Sequence, residues 1–178
     1  DVSTMVLVPE VARAIKDLRE VPILAAGGIC TGDQMAGAMA MGASGAWCAS
    51  VFLTTSEAET SQVVKDKMLS ASSSQTVRSR SRTGKHSRQL QSSWTDAWES
   101  DRAPDPLPMP LQTMVSEPAL QRIDKAADVG HDGAKKLATY WVGQGIGLVS
   151  EKISAGQTVQ KFKEEFIEAY ERLNNFME

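Results

Sequence analysis

The chain has 178 residues, 42% of them hydrophobic, and a formal net charge of -3. That is long enough for a domain with a true core, and the mild acidity argues against nucleic acid or an anionic membrane as the main partner. No apolar run approaches the ~20 residues a membrane span needs, no basic-then-apolar leader is visible, and Cys30 and Cys48 are too few for a disulfide framework. A reduced cytoplasmic setting is expected, and the start at Asp1, without an initiator Met, suggests one part of a longer chain.

Pro9 suits the first turn of a helix, with Val8, Val11, Ile15 and Leu18 at helical spacing to about Arg19. Val21 to Ala26 is apolar without alternation, as in a strand buried on both faces. Gly27-Gly28 permits a sharp turn. Thr31 and Gln34 have capping-box spacing, and the Ala- and Met-rich run from Asp33 to Met41 predicts a helix stopped at Gly42. A second strand is predicted over Gly45 to Ala49, ending at Ser50. Strand, Gly turn, helix and strand make a right-handed βαβ unit with parallel strands. Ser56 and Glu59 suggest another capping box, opening a helix to about Leu69. The order helix, strand, helix, strand, helix is that of an α/β fold, part of a (β/α) barrel or of an open parallel sheet.

Downstream the pattern changes. Arg78, Arg80 and Arg82 alternate within Thr76 to Arg88, and would point one way on an extended segment. This could bind an anionic cofactor or partner, although a solvated or acid-paired face is the commoner arrangement. Leu90 to Ser100 can form a helix with Trp94 and Trp98 one turn apart, and Arg102 to Pro110 reads as a Pro-rich crossing. Glu117 to Asp128 is predicted helical, followed by a Gly-rich region around Tyr140 and Trp141. The last helix carries Val159, Phe162, Phe166, Tyr170 and Leu173 on one face. Trp94, Trp98, Tyr140 and Trp141 can roof a ligand or form a small helical core, and the last helix can dock on the barrel or on another subunit.

Ligands of parallel sheets bind at the carboxyl ends of the strands. Gly27-Gly28 and Ala49-Ser50 are such ends on consecutive strands. Backbone N–H groups there, with the Ser50 hydroxyl, can face one anion, and the helix after Thr31 would aim its positive end at the same place. The bland alternative is a plain tight turn. Cys30 and Cys48 read as packing residues, no Cys/His cluster has zinc spacing, and His86 and His131 read as surface or loop residues.

The stretch AAGGICTGDQMAGAMAMGASGAWCASVFLTTSEA resembles the flavin-phosphate segment of the nitronate monooxygenase (2-nitropropane dioxygenase) family and of the related FMN-dependent enoyl-acyl-carrier-protein reductases. Ala49 stands where that family more often has Gly. Thr4 to Pro9, Thr83-Gly84-Lys85 with Arg88, Met109 to Gln112 and Gly143-Gln144-Gly145 extend the resemblance over most of the chain. It implies the C-terminal part of an FMN-binding TIM (β/α)8 barrel, with a mostly helical C-terminal substrate domain. Residues 1–75 would hold the last βα units, 76–155 the substrate extension and 156–178 an amphipathic helix. A complete barrel takes ~250 residues.

By that resemblance Gly27, Gly28, Ala49 and Ser50 hold the FMN phosphate and Gln144 borders the flavin. The family's catalytic His, in a Gly-Gly-His-x-Gly motif, falls before Asp1; no catalytic residue and no metal ligand are assigned here. The implied activity is oxidation of alkyl nitronates with O2. One alternative is an FMN- and NAD(P)H-dependent enoyl-thioester reductase, and another is a non-catalytic phosphate-ligand module. The expected partners are a small-molecule substrate and either a second copy or the N-terminal half of the barrel.

Overall fold

The computed structural model describes residues 2–176. Asp1, at the head of the predicted barrel portion, and Met177 and Glu178, at the end of the predicted last helix, lie outside the described residues. The chain divides into two compact units, one running to Glu57 and resuming at Lys152, the other Ala58–Glu151. These limits differ from the boundaries drawn after residues 75 and 155 in the sequence.

In the first unit, helix α1 spans Thr4–Ile15 and contains Pro9 rather than starting at it. The amides of Val6 and Leu7 both reach the Ser3 carbonyl, so the first turn forms before the proline. Thr4 Oγ1 donates to the Ala26 carbonyl at 2.9 Å and to that of Gly27 at 3.3 Å, which anchors the helix start to the end of the first strand. Strands β1 (Leu24–Ala26) and β2 (Gly45–Trp47) pair in parallel, Leu24 opposite Gly45 and Ala26 opposite Trp47. Helix α2 (Gly32–Ala40) connects them and ends before Gly42, whose φ of +110° is costly for any residue with a Cβ.

The strands are shorter than predicted and are not buried on both faces. Ala25 is buried, yet Leu24 is 52% and Trp47 67% exposed. Residues paired across parallel strands share a face, so this sheet has one covered and one open side among the described residues. A four-residue helix α3 (Ser50–Leu53) follows β2 at once. The predicted helix from Ser56 does not form there. Ser56 Oγ donates to Glu57, and its amide donates to the Ile153 carbonyl.

Helix α8 (Ala155–Asn174) is started by a capping box between Ser154 and Gln157. It packs on α2, but the buried positions are Thr158, Phe162 and Ala169. Of the apolar face predicted from the sequence, Phe162 is buried, while Val159, Tyr170 and Leu173 are exposed. Gly32 of α2 admits the α8 backbone itself at Phe162.

The second unit opens with α4 (Gln62–Ser70), capped by Ser61 through the Val64 amide. Strands β3 (Thr76–Ser79) and β4 (Ser87–Leu90) form an antiparallel pair. Then come α5 (Ser93–Trp98), α6 (Leu111–Asp128), α7 (Asp132–Leu137) and a 3-10 helix over Gln144–Leu148. Helix α6 starts earlier than predicted and carries Pro118 inside. Lys67 on α4 donates to the carbonyls of Lys135 (3.1 Å), Lys136 (3.4 Å) and Ala138 (2.6 Å), so an ammonium sits at the negative end of α7. Among the described residues no helix is long and apolar enough to cross a membrane.

Candidate functional site

The carboxyl ends of β1 and β2 are neighbours because the strands are parallel and in register. Gly27 and Gly28 follow β1 with φ of +97° and +79°, a region that L-residues with a Cβ reach only at a cost of about 1–2 kcal/mol. A Cβ on Gly28 would meet nothing within 4 Å, so the turn borders open space. At the end of β2, Ala49 is the N-cap of α3 and Ser50 its first residue. The structure thus brings Gly27, Gly28, Ala49 and Ser50 to the same end of one parallel pair.

The N-terminus of α2 is used otherwise than predicted. The Gly32 amide donates to Glu165 Oε2 of α8 at 2.7 Å, the Gln34 amide to Asp33 Oδ1 at 2.8 Å, and the Cys30 amide to Gln34 Oε1 at 2.8 Å. Thr31 makes no cap bond to the backbone; its hydroxyl donates to Asp33 Oδ1. Two carboxylates therefore already accept from amides at the start of this helix. No local signal in the sequence marks Glu165, which lies 133 residues from Gly32.

Cys30 is buried, and burial pushes its thiol up to about 11; neighbouring Cys48 adds to the rise, and a hydrogen bond from the Val51 backbone opposes it. Cys48 is half-buried rather than core, and its thiol is also pushed up by burial. Burial thus disfavours the thiolate form of both, the opposite of the shift that activates a nucleophilic cysteine. Cys48 lines an apolar hollow of about 440 Å³ with Met35, Trp47, Phe52 and Phe162, and Lys163 at its edge. This hollow borders β2, and it lacks the converging polar groups that orient a small ligand.

The remaining sequence candidates lie in the second unit. Gln144 is exposed at the start of the 3-10 helix. His86 is exposed before β4, and His131 caps α7, its Nδ1 accepting from the Ala134 amide at 3.2 Å. The arginines do not form one cationic face, because β3 ends at Ser79 and the next residues turn. Arg80 donates to the carbonyls of Gly84 (3.1 Å) and Pro106 (3.3 Å). Arg82 is 3% exposed and makes a forked ion pair with Glu117 at 2.9 Å. No group of three His, Cys, Asp or Glu side chains able to hold a metal occurs among the described residues.

Near that pair, Asp124 has its Oδ1 buried without a hydrogen-bond partner. Its acidity is weakened by burial first; Arg82 acts against this, while Asp128 and Glu117 add to it. The folded pKa thus lies above the unfolded value. The native state holds the extra proton between the two values, so stability falls as pH rises through that window. Asp124→Asn is expected to be more stable than the parent at pH 7, with the difference shrinking as pH is lowered toward 4. Urea denaturation at a series of pH values measures this, and a pH-independent difference would contradict it.

Residues 1–165 match the family description "Nitronate monooxygenase". The Mycobacterium tuberculosis protein Rv1533, a monooxygenase by its given name, is 52% identical over all of this chain and 47% of its own length. Among solved structures, FabK of Thermotoga maritima is similar with a TM-score of 0.75 and 28% identity, over 99% of this chain and 52% of that one. The nitroalkane oxidase of Streptomyces ansochromogenes gives a TM-score of 0.79 and 26% identity, over 97% of this chain and 46% of that one. The chain spans about half the length of the curated relatives it matches.

Proposed function

Because the chain belongs to the nitronate monooxygenase family, we propose that it supplies the phosphate-holding strand ends of an FMN-dependent oxidoreductase that oxidises alkyl nitronates with O2. The observation that carries this reading is the juxtaposition of Gly27-Gly28 with Ala49-Ser50 at the ends of two parallel strands, followed at once by the short helix α3. In (β/α)8 enzymes a phosphate site is commonly built from the loops after strands 7 and 8 and a short extra helix. The uncovered sheet face bearing Leu24 and Trp47 supports membership of a larger closed sheet.

In this reading the amides of Gly28, Ala49 and Ser50 and the Ser50 hydroxyl donate to the phosphate oxygens, and Gly27 shapes the turn that presents them. FMN, when bound, supplies the electron-accepting chemistry, and the protein supplies placement and exclusion of competing reactions. Gln144 is assigned to the flavin's surroundings by resemblance. No residue of this chain is given the proton-transfer role.

The likeness to FabK favours a second reading, an enoyl-thioester reductase using NAD(P)H and FMN. The test is the visible spectrum of the protein joined to the upstream half found in its relatives, followed by turnover. Flavin absorption with nitronate-dependent O2 uptake in the absence of NADPH is the expected result. Rapid flavin bleaching by NADPH with enoyl-thioester reduction would favour the second reading. A protein that takes up no FMN would overturn both and leave a phosphate-ligand module.

A further inference from the structure

Three features of the first unit meet along one side of β2. The strand pairs with β1, and among the described residues no strand pairs with its other edge. The apolar hollow of about 440 Å³ is lined by Ala46 and Trp47 of β2 and by Val159 and Phe162 of α8, but by nothing of β1. It therefore opens on the side of β2 that faces away from β1. From there an apolar strip runs along α8. Phe166, Tyr170 and Leu173 follow Val159 at helical spacing on one flank. Val159, Tyr170 and Leu173 are exposed, and Phe166 is half-buried. The contact of α8 with α2 uses the adjoining face, where Thr158, Phe162 and Ala169 are buried.

A free strand edge is a template for another strand, and a continuous apolar strip on a helix calls for a packing partner. Between the two lies a hollow with room for a bulky side chain. A small ligand fits this face poorly, because the hollow has only Lys163 at its edge to orient one. A second copy related by a two-fold axis would bring the same patch against itself. Two hollows set face to face leave both unfilled. The chain covers 47% of the Mycobacterium tuberculosis relative and 52% of FabK, so proteins of this kind carry about as much chain again.

We propose that this face is the seam on which the rest of the full-length protein docks. A strand of that remainder pairs with the free edge of β2, and one of its apolar side chains fills the hollow. The helix connected to that strand lies along Val159, Phe166, Tyr170 and Leu173 of α8. Trp47 and Cys48 then become interior residues. The seam shares with the functional reading the premise that this sheet is part of a larger one, and it needs no particular cofactor or substrate.

The test compares the chain itself with the protein carrying the upstream half. The first readout is the rate at which a small maleimide alkylates Cys48, assigned by peptide mass. Cys48 lines the hollow and is half-buried, while buried Cys30 serves as the internal reference. Cys48 is expected to react about tenfold or more slowly in the longer protein, with Cys30 slow in both. The second readout is Tm. Tyr170→Lys and Leu173→Lys alter exposed positions, so each should leave the Tm of the chain itself within about 2 °C. In the longer protein each should lower Tm by about 5 °C or more, because the ammonium is buried there. Glu164→Lys, exposed on the other side of α8, should change neither. Equal Cys48 rates in the two proteins would leave the hollow open and overturn the proposal. So would a loss of Tm for Glu164→Lys as large as that for Tyr170→Lys. A chain that dimerises alone with Cys48 shielded, and that Tyr170→Lys splits, would assign the face to a second copy and overturn it too. A longer protein with Cys48 shielded and no uptake of FMN would support the seam while overturning the flavin reading.

Discussion

Gly32→Ala is expected to destabilise the first unit by about 3 kcal/mol or more, the range reached when a core must take a group for which there is no room. A Cβ at this position would overlap the Phe162 carbonyl and lie 2.8 Å from both the Phe162 carbonyl carbon and the Phe166 nitrogen. All three are backbone atoms of α8, so no side-chain rotation relieves the overlap. The helices would have to separate at the point where the Gly32 amide donates to Glu165 Oε2 at 2.7 Å. Separation also thins the packing around Phe162, Ala36 and Ala38, which are buried. Denaturant unfolding of parent and variant measures the loss, and a loss below about 1 kcal/mol would show that α2 and α8 are not held in this close approach.

Gly84→Ala is expected to cost about as much in the second unit, for two separable reasons. Gly84 has φ of +79°, which penalises any Cβ, by about 1–2 kcal/mol. In addition the new Cβ would overlap the Leu107 carbonyl and lie 3.1 Å from Met109 N. The turn is fixed there, since the Gly84 amide donates to the Arg80 carbonyl at 2.9 Å and the Gly84 carbonyl accepts from Arg80 Nε at 3.1 Å. Gly130→Ala isolates the first reason, because Gly130 has φ of +95° with nothing within 4 Å of the added Cβ. The expected order is a loss of ~1 kcal/mol for Gly130→Ala and about 3 kcal/mol for Gly84→Ala. Equal losses would mean that the Pro-rich crossing near Leu107 yields easily.

Much of the first unit was legible because its signals are local. The apolar run before Gly27, the Ala-rich helix stopped at Gly42 and the strand beginning at Gly45 are set by propensity and by backbone freedom within a few residues. The nearness of the two strand ends that carry the candidate site was readable for the same reason: parallel pairing places them together whatever else the chain does. Several of the failures involve competition from afar. Glu165, from the other end of the chain, takes the Gly32 amide at the start of α2. The Ser56–Glu59 spacing promised a helix start, but the Ser56 amide is claimed by Ile153. In α8 the apolar face Val159, Phe162, Phe166, Tyr170 and Leu173 is only partly covered: Phe162 is buried, together with Thr158 and Ala169, where the α8 backbone closely approaches Gly32. The alternating arginines are separated by the end of β3 at Ser79, which no periodicity in that stretch announces.

The surroundings of Arg82 come from the turn after β3, from α6 and from Thr139–Trp141, and only the arginine carries a signal in the sequence. The acid-paired alternative for the arginine run holds at Arg82, whose partner Glu117 lies 35 residues away.

The central claim is that Gly27, Gly28, Ala49 and Ser50 hold a phosphate. The most direct measurement is the affinity of the protein carrying the upstream half for FMN and for riboflavin, which differ only in that phosphate. Two or more charge-assisted hydrogen bonds should make FMN bind about 100-fold more tightly. Gly28→Asp and Ser50→Asp should each remove most of that preference by placing a carboxylate against the phosphate, with little change for riboflavin. An equal preference for FMN in the parent and both variants would place the phosphate elsewhere and contradict the account.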